Sequence, residues 1–428
     1  MPPRTVPARS YRSQTARPRH IPPVRSQGVR KHRPDYILLL LMVALTVIGV
    51  IVVFSISPAL GVEKGADGGH YIFRQFVAIG LGMLSFFIAA NVPLERWKLL
   101  YKPMLVGAGI LTILALIMPV NEQYPAHRWV RIAGFSFQSV ELLKLAGIMW
   151  LSGFLVWRRE QGMLSDVKKT LYPLFGVLIG AAFVVAGLQS DFGSFIVIVA
   201  VMFVMAFISG LPMKRILLGG LILAMLGSVL IIAEPYRRDR LTAFLHPDCT
   251  SRSGYQACQA LIAIGSGGMA GLGLGNSVQA YGYLPEAEND SIFAVYAEKF
   301  GFLGSVLLVG LFAALFTRIK KVAEQAPDFF TRLVVTGILI WLLTQTTINI
   351  GAMLGLMPLK GITLPLVSYG GSSVLMIMAA LGVVFQASRY TVVGQDTADE
   401  IKGGASNGYR DDRRGVRGTY YPSASRRP

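Results

Sequence analysis

Apolar residues in this chain gather into long uninterrupted runs, and polar residues are concentrated in the segments between them. Each run has about 20 residues, the helical length that crosses a hydrocarbon core about 30 Å thick. The helices of soluble proteins instead carry one apolar face and one polar face. The runs therefore predict transmembrane helices. They cover residues 36–56, 72–92, 100–120, 140–156, 171–188, 192–208, 216–233, 292–316, 333–356 and 366–387.

Ten such runs predict an all-α polytopic membrane protein with about ten transmembrane helices. Composition agrees, since 53% of the 428 residues are hydrophobic and 15% are charged, whereas soluble domains are about a quarter charged. Residues 1–35, rich in Pro, Ser and Arg, predict a disordered basic tail. The first apolar run is too long for the core of a cleaved signal peptide and predicts a retained anchor. A membrane domain over 36–389 and a second disordered tail over 390–428 complete the predicted organisation.

Net charge supports one orientation of this domain. Lys and Arg number 41 against 23 Asp and Glu, a formal charge of +18, which in a soluble protein would suggest a nucleic-acid partner. Much of the excess lies in the two tails, and the remaining basic clusters between runs fall on the same side of the membrane as the tails. The positive-inside rule then predicts that both termini are cytoplasmic. We expect the tails to contact anionic lipid, and no nucleic acid.

One long segment, residues 234–290, lies between the seventh and eighth runs on the predicted extracytoplasmic side. Its run GSGGMAGLGLGNS indicates tight turns, close backbone approach or a flexible loop. The run lacks the Lys-Ser/Thr and the βαβ setting of a nucleotide site. Cys249 and Cys258, the only cysteines, could form a disulfide or remain free thiols, and they lack the spacing of a zinc site.

Acidic and basic side chains occur where lipid is expected, and such residues are functional candidates. Glu141 and Lys144 are three apart on the fourth predicted helix, which favours either a neutralising ion pair or a polar pathway. Asp191 precedes the sixth helix and could cap it. Asp290 precedes the eighth helix beside other acids of PEAEND, so that mutual repulsion raises its pKa and makes it a candidate general base. An N-cap is the alternative for Asp290.

A second group of candidates is cationic and lies at the predicted outer face. One arginine opens the second helix, and two more flank a tryptophan in HRWVRIAG. Interfacial snorkelling and an aromatic belt would explain them. Alternatively they form a patch that holds an anionic headgroup such as a pyrophosphate, because arginine donates two parallel hydrogen bonds to phosphate oxygens. The cations of this patch are Arg74, Arg128, Arg131 and Lys360.

Four segments closely resemble the FtsW/RodA (SEDS) family of peptidoglycan glycosyltransferases. They are HRWVRIAGFSFQSVELLKL, LQSDFGS, SGYQACQALIAIGSGGMAGLGLGNSVQAYGYLPEAENDSIFAVYAEKFGFLG and KGITLPLVSYGGSSVL. The resemblance covers residues 36–389 and implies a SEDS-type fold of ten helices. It also implies an inverting glycosyltransferase that polymerises lipid II, both donor and acceptor, at the outer face of the membrane.

The resemblance assigns roles to particular residues. It implies that Asp290 is the catalytic base. It places further residues in the substrate site or its cavity: Arg74, Gln75, Arg128, Trp129, Arg131, Glu141, Lys144, Asp191, Gln256, Asn276, Glu286, Lys360, Ser368 and Tyr369. This chain departs from the family where His-Thr-Asp-Phe becomes Glu288-Asn289-Asp290-Ser291, which changes the packing and charge around the proposed base.

Within the family, GLGNSVQ, YLPEA and KGITLPL look more like the division member, FtsW, than the elongation member, RodA. Sporulation members share these features. The implied partners are lipid II, a class B penicillin-binding protein transpeptidase and other divisome membrane proteins. No protein-bound cofactor is predicted, although a divalent cation, Mg²⁺ or Mn²⁺, could share the pyrophosphate. A lipid flippase and a non-enzymatic division scaffold are the alternatives.

Overall fold

The computed structural model describes residues 29–63, 69–120, 127–132, 135–233, 235–245, 248–250, 252–279 and 281–392. This part of the chain contains twelve α-helices and four short strands. The helices are α1 Tyr36–Glu63, α2 Gly69–Asn91, α3 Leu94–Ile117, α4 Ser139–Glu160, α5 Tyr172–Ala181, α6 Phe192–Ile208, α7 Met213–Ala233, α8 Pro235–Leu245, α9 Arg252–Ser266, α10 Ile292–Glu324, α11 Phe329–Met353 and α12 Gly371–Ala387.

Ten helices coincide with the ten predicted runs. Within the described residues, seven helical segments are long and apolar enough to span a membrane; one of them joins α5 to the π-helical turns Val167–Leu171 and Ala182–Leu188. Two shorter apolar helices, α6 and α12, and the 21-residue α7 complete the set. The predicted fold class, an all-α multi-pass membrane protein, is confirmed.

The core of the bundle is built around α11, which packs against α4, α6, α10 and α12. Its side chains Leu333, Ile338 and Trp341 are fully buried. Polar residues continue along the same helix at Gln345 and Asn349, which are also buried. Unpaired polar groups at this depth are costly, so these amides must find partners inside the protein.

The long segment 234–290 holds two helices that sequence patterns did not predict, α8 and α9. Its glycines and polar residues suggested irregular structure. In α9, however, Gln256, Ala260 and Ala263 recur at helical spacing and are buried, and this face packs on α10. The amphipathic face is short and made of small residues, which explains why hydropathy alone did not reveal it.

The glycine-rich run lies with its backbone against a break in α10. Gly301 interrupts that helix with φ 65° and ψ −163°. The amide of Gly273 donates to the carbonyl of Lys299 at 3.0 Å. A Cβ on Gly271 would lie 2.2 Å from that same carbonyl oxygen, and one on Gly267 would lie 2.2 Å from the oxygen of Ala297. Close backbone approach therefore explains the glycines.

Gly271→Ala should destabilise the fold by about 3 kcal/mol or more, because the added methyl overlaps backbone and φ is +84°. Gly275→Ala is the matched control, since a Cβ there meets nothing within 4 Å. The thermal unfolding of both variants in detergent tests this. Equal melting temperatures would contradict the close packing of this segment.

Two small antiparallel sheets complete the described structure. Strand β2, Trp129–Ile132, pairs with β3, Phe135–Gln138. Strand β1, Val29–Lys31, pairs with β4, Tyr390–Val392. The predicted disordered tails, 1–35 and 390–428, thus each contain an ordered strand next to the bundle. Residues 1–28 and 393–428 of those tails lie outside the described residues.

Candidate active site

Asp290 lies in the tight turn that precedes α10. The N-cap of α10 is Ser291, so Asp290 does not occupy the capping position that the sequence allowed as an alternative. Its Oδ1 instead accepts a hydrogen bond of 3.3 Å from Nε2 of Gln256 on α9. The carboxylate is therefore held by a neighbouring element of the long segment.

The backbone of this turn is held by α11 and by the loop between α11 and α12. Asn349 Nδ2 donates to the carbonyls of Asp290 at 2.8 Å and Ile362 at 2.7 Å. Ser368 Oγ donates to the carbonyl of Asn289 at 2.6 Å. The amide of Tyr369 donates to the carbonyl of Glu288 at 2.8 Å. Asp290 is thus carried on a turn that is fixed on two sides.

The surroundings of Asp290 allow its carboxyl to exchange a proton near neutral pH. Burial raises the pKa of Asp290 to about 7, with a further increase from the Glu286 carboxylate, while Arg240 opposes the shift. Glu288 adds a smaller increase. A base is most effective when its pKa lies near the working pH. The sequence-based prediction of a raised pKa named the acidic neighbours, whereas burial is the larger cause.

For Asp290 as the candidate base, this pKa predicts an acid limb near pH 7 in the pH dependence of the rate that it catalyses. Activity should fall below that pH, because protonation removes the acceptor. Glu286→Gln should move the limb to lower pH, since it removes a like charge. Initial rates measured from pH 5.5 to 9 test this. Glu160→Gln, at the far end of α4, is the control and should leave the limb in place; an unmoved limb in Glu286→Gln would contradict the coupling.

The second cluster is a buried ion pair at the start of α4. Lys144 Nζ lies 2.8 Å from Glu141 Oε1 and both residues are buried. Lys144 also donates to Gln345 Oε1 at 3.1 Å, and its ammonium lies 5.0 Å from the ring centroid of Trp341. The pair that the spacing predicted is present, and α11 supplies its remaining contacts.

Residue Gln345 links this ion pair to the loop beside Asp290. Its Nε2 donates to the carbonyl of Thr363 at 3.0 Å, and its Oε1 accepts from Lys144 and Trp341. One helical turn further along α11, Asn349 holds Asp290. A continuous row of polar contacts therefore runs from α4 through α11 to the Asp290 turn.

A third cluster surrounds Asp191 at the start of α6. Asp191 caps that helix by accepting from the amide of Ser194 at 3.0 Å. Gln138 on β3 donates to its other oxygen at 3.0 Å. Arg128 donates to the carbonyls of Gln189 at 3.0 Å and Ser190 at 3.3 Å. Arg128 and Asp191 thus lie at one end of the bundle, where both bind the backbone of residues 189–194.

The other predicted cations are distributed around the same end. Arg131 donates to the carbonyl of Pro119. Lys360 Nζ lies 4.7 Å from the ring centroid of Phe192, next in sequence to Asp191. The next residue after Lys360, Gly361, approaches Asp290, since a Cβ there would lie 3.8 Å from Oδ2.

Arg74 and Gln75 lie near the loop between α11 and α12. Exposed Arg74 forms a side-chain hydrogen bond with Tyr369, and the ring of Tyr369 contacts Tyr71 at 5.7 Å between centroids. Gln75 is 1% exposed, and its amide atoms have no hydrogen-bond partner within the described residues. Trp129, on β2, lies opposite Gln138.

Asn276 is the predicted residue with the weakest tie to this region. It is exposed in the glycine-rich run, and within the described part of the chain no hydrogen bond joins it to the Asp290 turn. The remaining predicted residues Gln256, Glu286 and Ser368 all belong to that turn or its immediate supports.

Sequence reasoning missed several polar residues that the structure brings into or beside the site. Gln345 and Asn349 stand four apart in an apolar run, a signal that polar residues in predicted spans could have provided. The same signal was available for Glu298 and Lys299, which are buried in α10 and bind Ser277 and Leu274 of the glycine-rich run. Arg240, on α8, gave no such signal because α8 itself was not predicted.

Beside the polar row lies an apolar cavity of about 340 Å³ between helices α3, α4, α5 and α6. Its lining includes Thr112, Ile148, Val185 and Met202, and Lys144 brings a charged group to it. An apolar space next to a charged pair suits an amphiphile with a hydrocarbon chain and a polar end.

The fold and the site together define a multi-pass membrane protein with a buried acidic residue at one end of its bundle. The chain belongs to the FtsW/RodA/SpoVE family of cell cycle proteins, whose model matches residues 36–392. The resemblance stated from the sequence segments is therefore confirmed.

Relatives and solved structures agree with this membership. The chain is 38% identical over 385 residues to a probable peptidoglycan glycosyltransferase FtsW of Marinobacter nauticus, covering 87% of this chain and 95% of the relative. It is 36% identical to the stage V sporulation protein E of Bacillus subtilis, covering 85% and 99%. Among structures, it matches Thermus thermophilus RodA with a TM-score of 0.58 and 27% identity, covering 83% and 97%.

A second solved structure bears on assembly. It is described as "Structural coordination of polymerization and crosslinking by a peptidoglycan synthase complex", and one of its chains matches with a TM-score of 0.68 and 28% identity. The match covers 83% of this chain and 98% of that one. The fold is therefore that of a component of a peptidoglycan synthase.

Proposed function

We propose that this protein is a peptidoglycan glycosyltransferase that polymerises lipid II, with Asp290 as its general base. The observation that carries the proposal is a buried carboxyl with a pKa of about 7 on a turn fixed by α9, α11 and the loop after α11. Relatives named as probable peptidoglycan glycosyltransferases support the substrate class.

In the proposed reaction, Asp290 takes the proton of the 4-hydroxyl on the acceptor GlcNAc. The oxygen attacks C1 of the donor MurNAc, the bond from C1 to the pyrophosphate breaks, and undecaprenyl pyrophosphate leaves with inversion at C1. A positioned base of this kind contributes about 10² to 10⁴ in rate. The pKa of Asp290 and its fixed position support this role.

The leaving pyrophosphate requires positive charge. Arg74, Lys360, Arg128 and Arg131 are the proposed cations. Of these, Arg74 is exposed at the end that carries Tyr369, and Lys360 is next to Gly361 beside Asp290. Glu141, Lys144 and Asp191 are proposed to brace the site, in keeping with their mutual and capping contacts.

A divalent cation, Mg²⁺ or Mn²⁺, is proposed only as a companion of the pyrophosphate. The described residues contain no group of three or more His, Cys, Asp or Glu side chains placed to hold a metal ion. Phosphate oxygens and water usually supply most ligands of such an ion. No step of the proposed reaction passes through it.

For cellular setting, we propose that the site faces outward from the cytoplasmic membrane, with both termini in the cytoplasm, at the division septum. The basic loops support the orientation, and the predominance of FtsW among the names of similar proteins supports division over elongation or sporulation. A class B penicillin-binding protein, which would crosslink the new strands, and other divisome membrane proteins are the proposed partners, supported by the match to a synthase complex.

The test is polymerisation of labelled lipid II by the purified protein, with and without the class B penicillin-binding protein. The expected result is glycan polymer from the wild type. Absence of polymer under both conditions, together with lipid scrambling in vesicles, would overturn the proposal in favour of a flippase. Absence of both activities would favour a scaffold.

A further inference from the structure

The α8–α9 hairpin reaches the surroundings of Asp290 from two sides. From α9, Gln256 donates to Asp290 Oδ1 at 3.3 Å. From α8, Arg240 Nη1 donates to the carbonyl of Leu359 at 3.0 Å. Gly361, two residues after Leu359, is the residue whose Cβ would lie 3.8 Å from Asp290 Oδ2. Each arm of the hairpin thus contributes one polar side chain to the setting of a single carboxylate.

A disulfide ties the segment between α8 and α9 to α9. It links Cys249, which follows α8, to Cys258 in α9, with 5.6 Å between the Cα atoms. Cys258 is two residues from Gln256 in the same helix and is itself buried. The bond fixes a residue four positions after the end of α8 to the second turn of α9, where Gln256 also lies. It therefore limits how far α9, with Gln256, can move from α8, with Arg240.

We propose that the Cys249–Cys258 disulfide holds Gln256 and Arg240 in place around Asp290, so that the rate of glycosyl transfer depends on the redox state of this cysteine pair. The inference rests on the proposed function. Gln256 and Arg240 are then positioning residues that act through Asp290. A reductant that reaches the site becomes an inhibitor.

Opening the disulfide should change the acid–base behaviour of Asp290 in a defined direction. The charged groups that act on Asp290 are Glu286 and Glu288 in its own turn and Arg240 on α8, while α9 and α11 present the neutral amides of Gln256 and Asn349. Gln256 and Arg240 both favour the ionised carboxylate. Their displacement raises the pKa of Asp290 further, and the acid limb of the rate profile moves to higher pH.

The experiment compares oxidised and reduced protein in the lipid II assay, with the transpeptidase partner present if it is required. A water-soluble phosphine cleaves the sulfur–sulfur bond to two thiols and is converted, with one water molecule, to its oxide. Reduction should move the acid limb up by about one pH unit and thereby lower the rate at pH 7 about fivefold. Cys249→Ser/Cys258→Ser should reproduce the reduced profile and should not respond to the phosphine.

Arg240→Gln supplies a test that keeps both cysteines. It should also move the limb to higher pH, and reduction should then move it less than in the wild type. Thiol labelling of Cys249 and Cys258 verifies that the bond has opened. An unchanged rate and limb after verified reduction overturns the inference, as does a loss of rate at every pH with an unmoved limb, which would mark a purely structural link. No polymer from oxidised wild type would instead overturn the proposed function itself.

Discussion

Asp290→Asn should lower the initial rate of lipid II polymerisation by about two to four orders of magnitude, because the amide cannot accept the proton of the attacking hydroxyl. The turn that carries residue 290 is held mainly through backbone carbonyls, so the substitution leaves its supports intact. Product formation measured on gels from purified protein, at equal concentration of folded enzyme, checks the result.

Stability separates loss of chemistry from loss of fold in this variant. The pKa of Asp290 is raised from 3.8 to about 7, so this carboxyl ionises more readily in the unfolded chain than in the folded one. The free energy of unfolding therefore falls as pH rises from about 4 to about 7, and the loss stays constant at higher pH. Asparagine carries no such cost. Asp290→Asn should therefore melt no lower than the wild type at pH 8.

The matched control for Asp290→Asn is Glu286→Gln, the same acid-to-amide change in the same turn. It should retain polymerisation, with only the altered pH profile. A fully active Asp290→Asn would contradict the assignment of the base and leave a flippase or a scaffold as the better account.

Removing one member of the buried pair on α4 should have the largest effect on stability. Lys144→Met leaves Glu141 charged, buried and without its cation, which costs about 3 to 5 kcal/mol. The expected result is a low yield of folded protein and a lower melting temperature in detergent. A yield and melting temperature equal to those of the wild type would contradict the burial of the pair.

The double variant Glu141→Leu/Lys144→Met tests whether the pair does more than neutralise itself. Replacing both charges removes the unpaired ion, so folding should recover. Gln345 then loses its charged donor, although Trp341 still donates to the same oxygen. Since Gln345 holds Thr363 in the loop beside Asp290, we expect the rate to remain about tenfold low, one broken hydrogen bond to a charged group. Full activity would show that the pair serves insertion alone.

The sequence predicted the membrane fold because lipid imposes a simple rule: long apolar runs become helices. Every predicted run contains a helix in the structure, as α1 and α10 illustrate. Helices α8 and α9 were not predicted because they are not long apolar runs. Helix α9 packs on α10 through small side chains such as Ala260 and carries the disulfide at Cys258, and neither feature is visible in hydropathy.

For the site, residue type predicted Asp290 and the Glu141–Lys144 pair, because charge in or beside a membrane span is rare. It could not predict what surrounds them. The contacts of Gln345 and Asn349 depend on which face of α11 is turned towards α4 and the Asp290 turn, and the contact of Arg240 depends on where α8 packs. Tertiary structure decides both. Spacing along the chain decides only which residues of one helix are neighbours.

The pairing of β1 with β4 limits how many times the chain can pass along the bundle, independently of hydropathy. Val29 lies opposite Val392 in that sheet, so the two ends of the described bundle lie at the same end of it, and the number of passages along the bundle between them must be even. Among the described residues, seven long apolar segments and two short ones give an odd total. An even number therefore requires one more passage, and α7, with Lys214 and Arg215 at its start and an apolar remainder, supplies it. A three-residue strand at the rim of the bundle thus constrains the path of the whole chain.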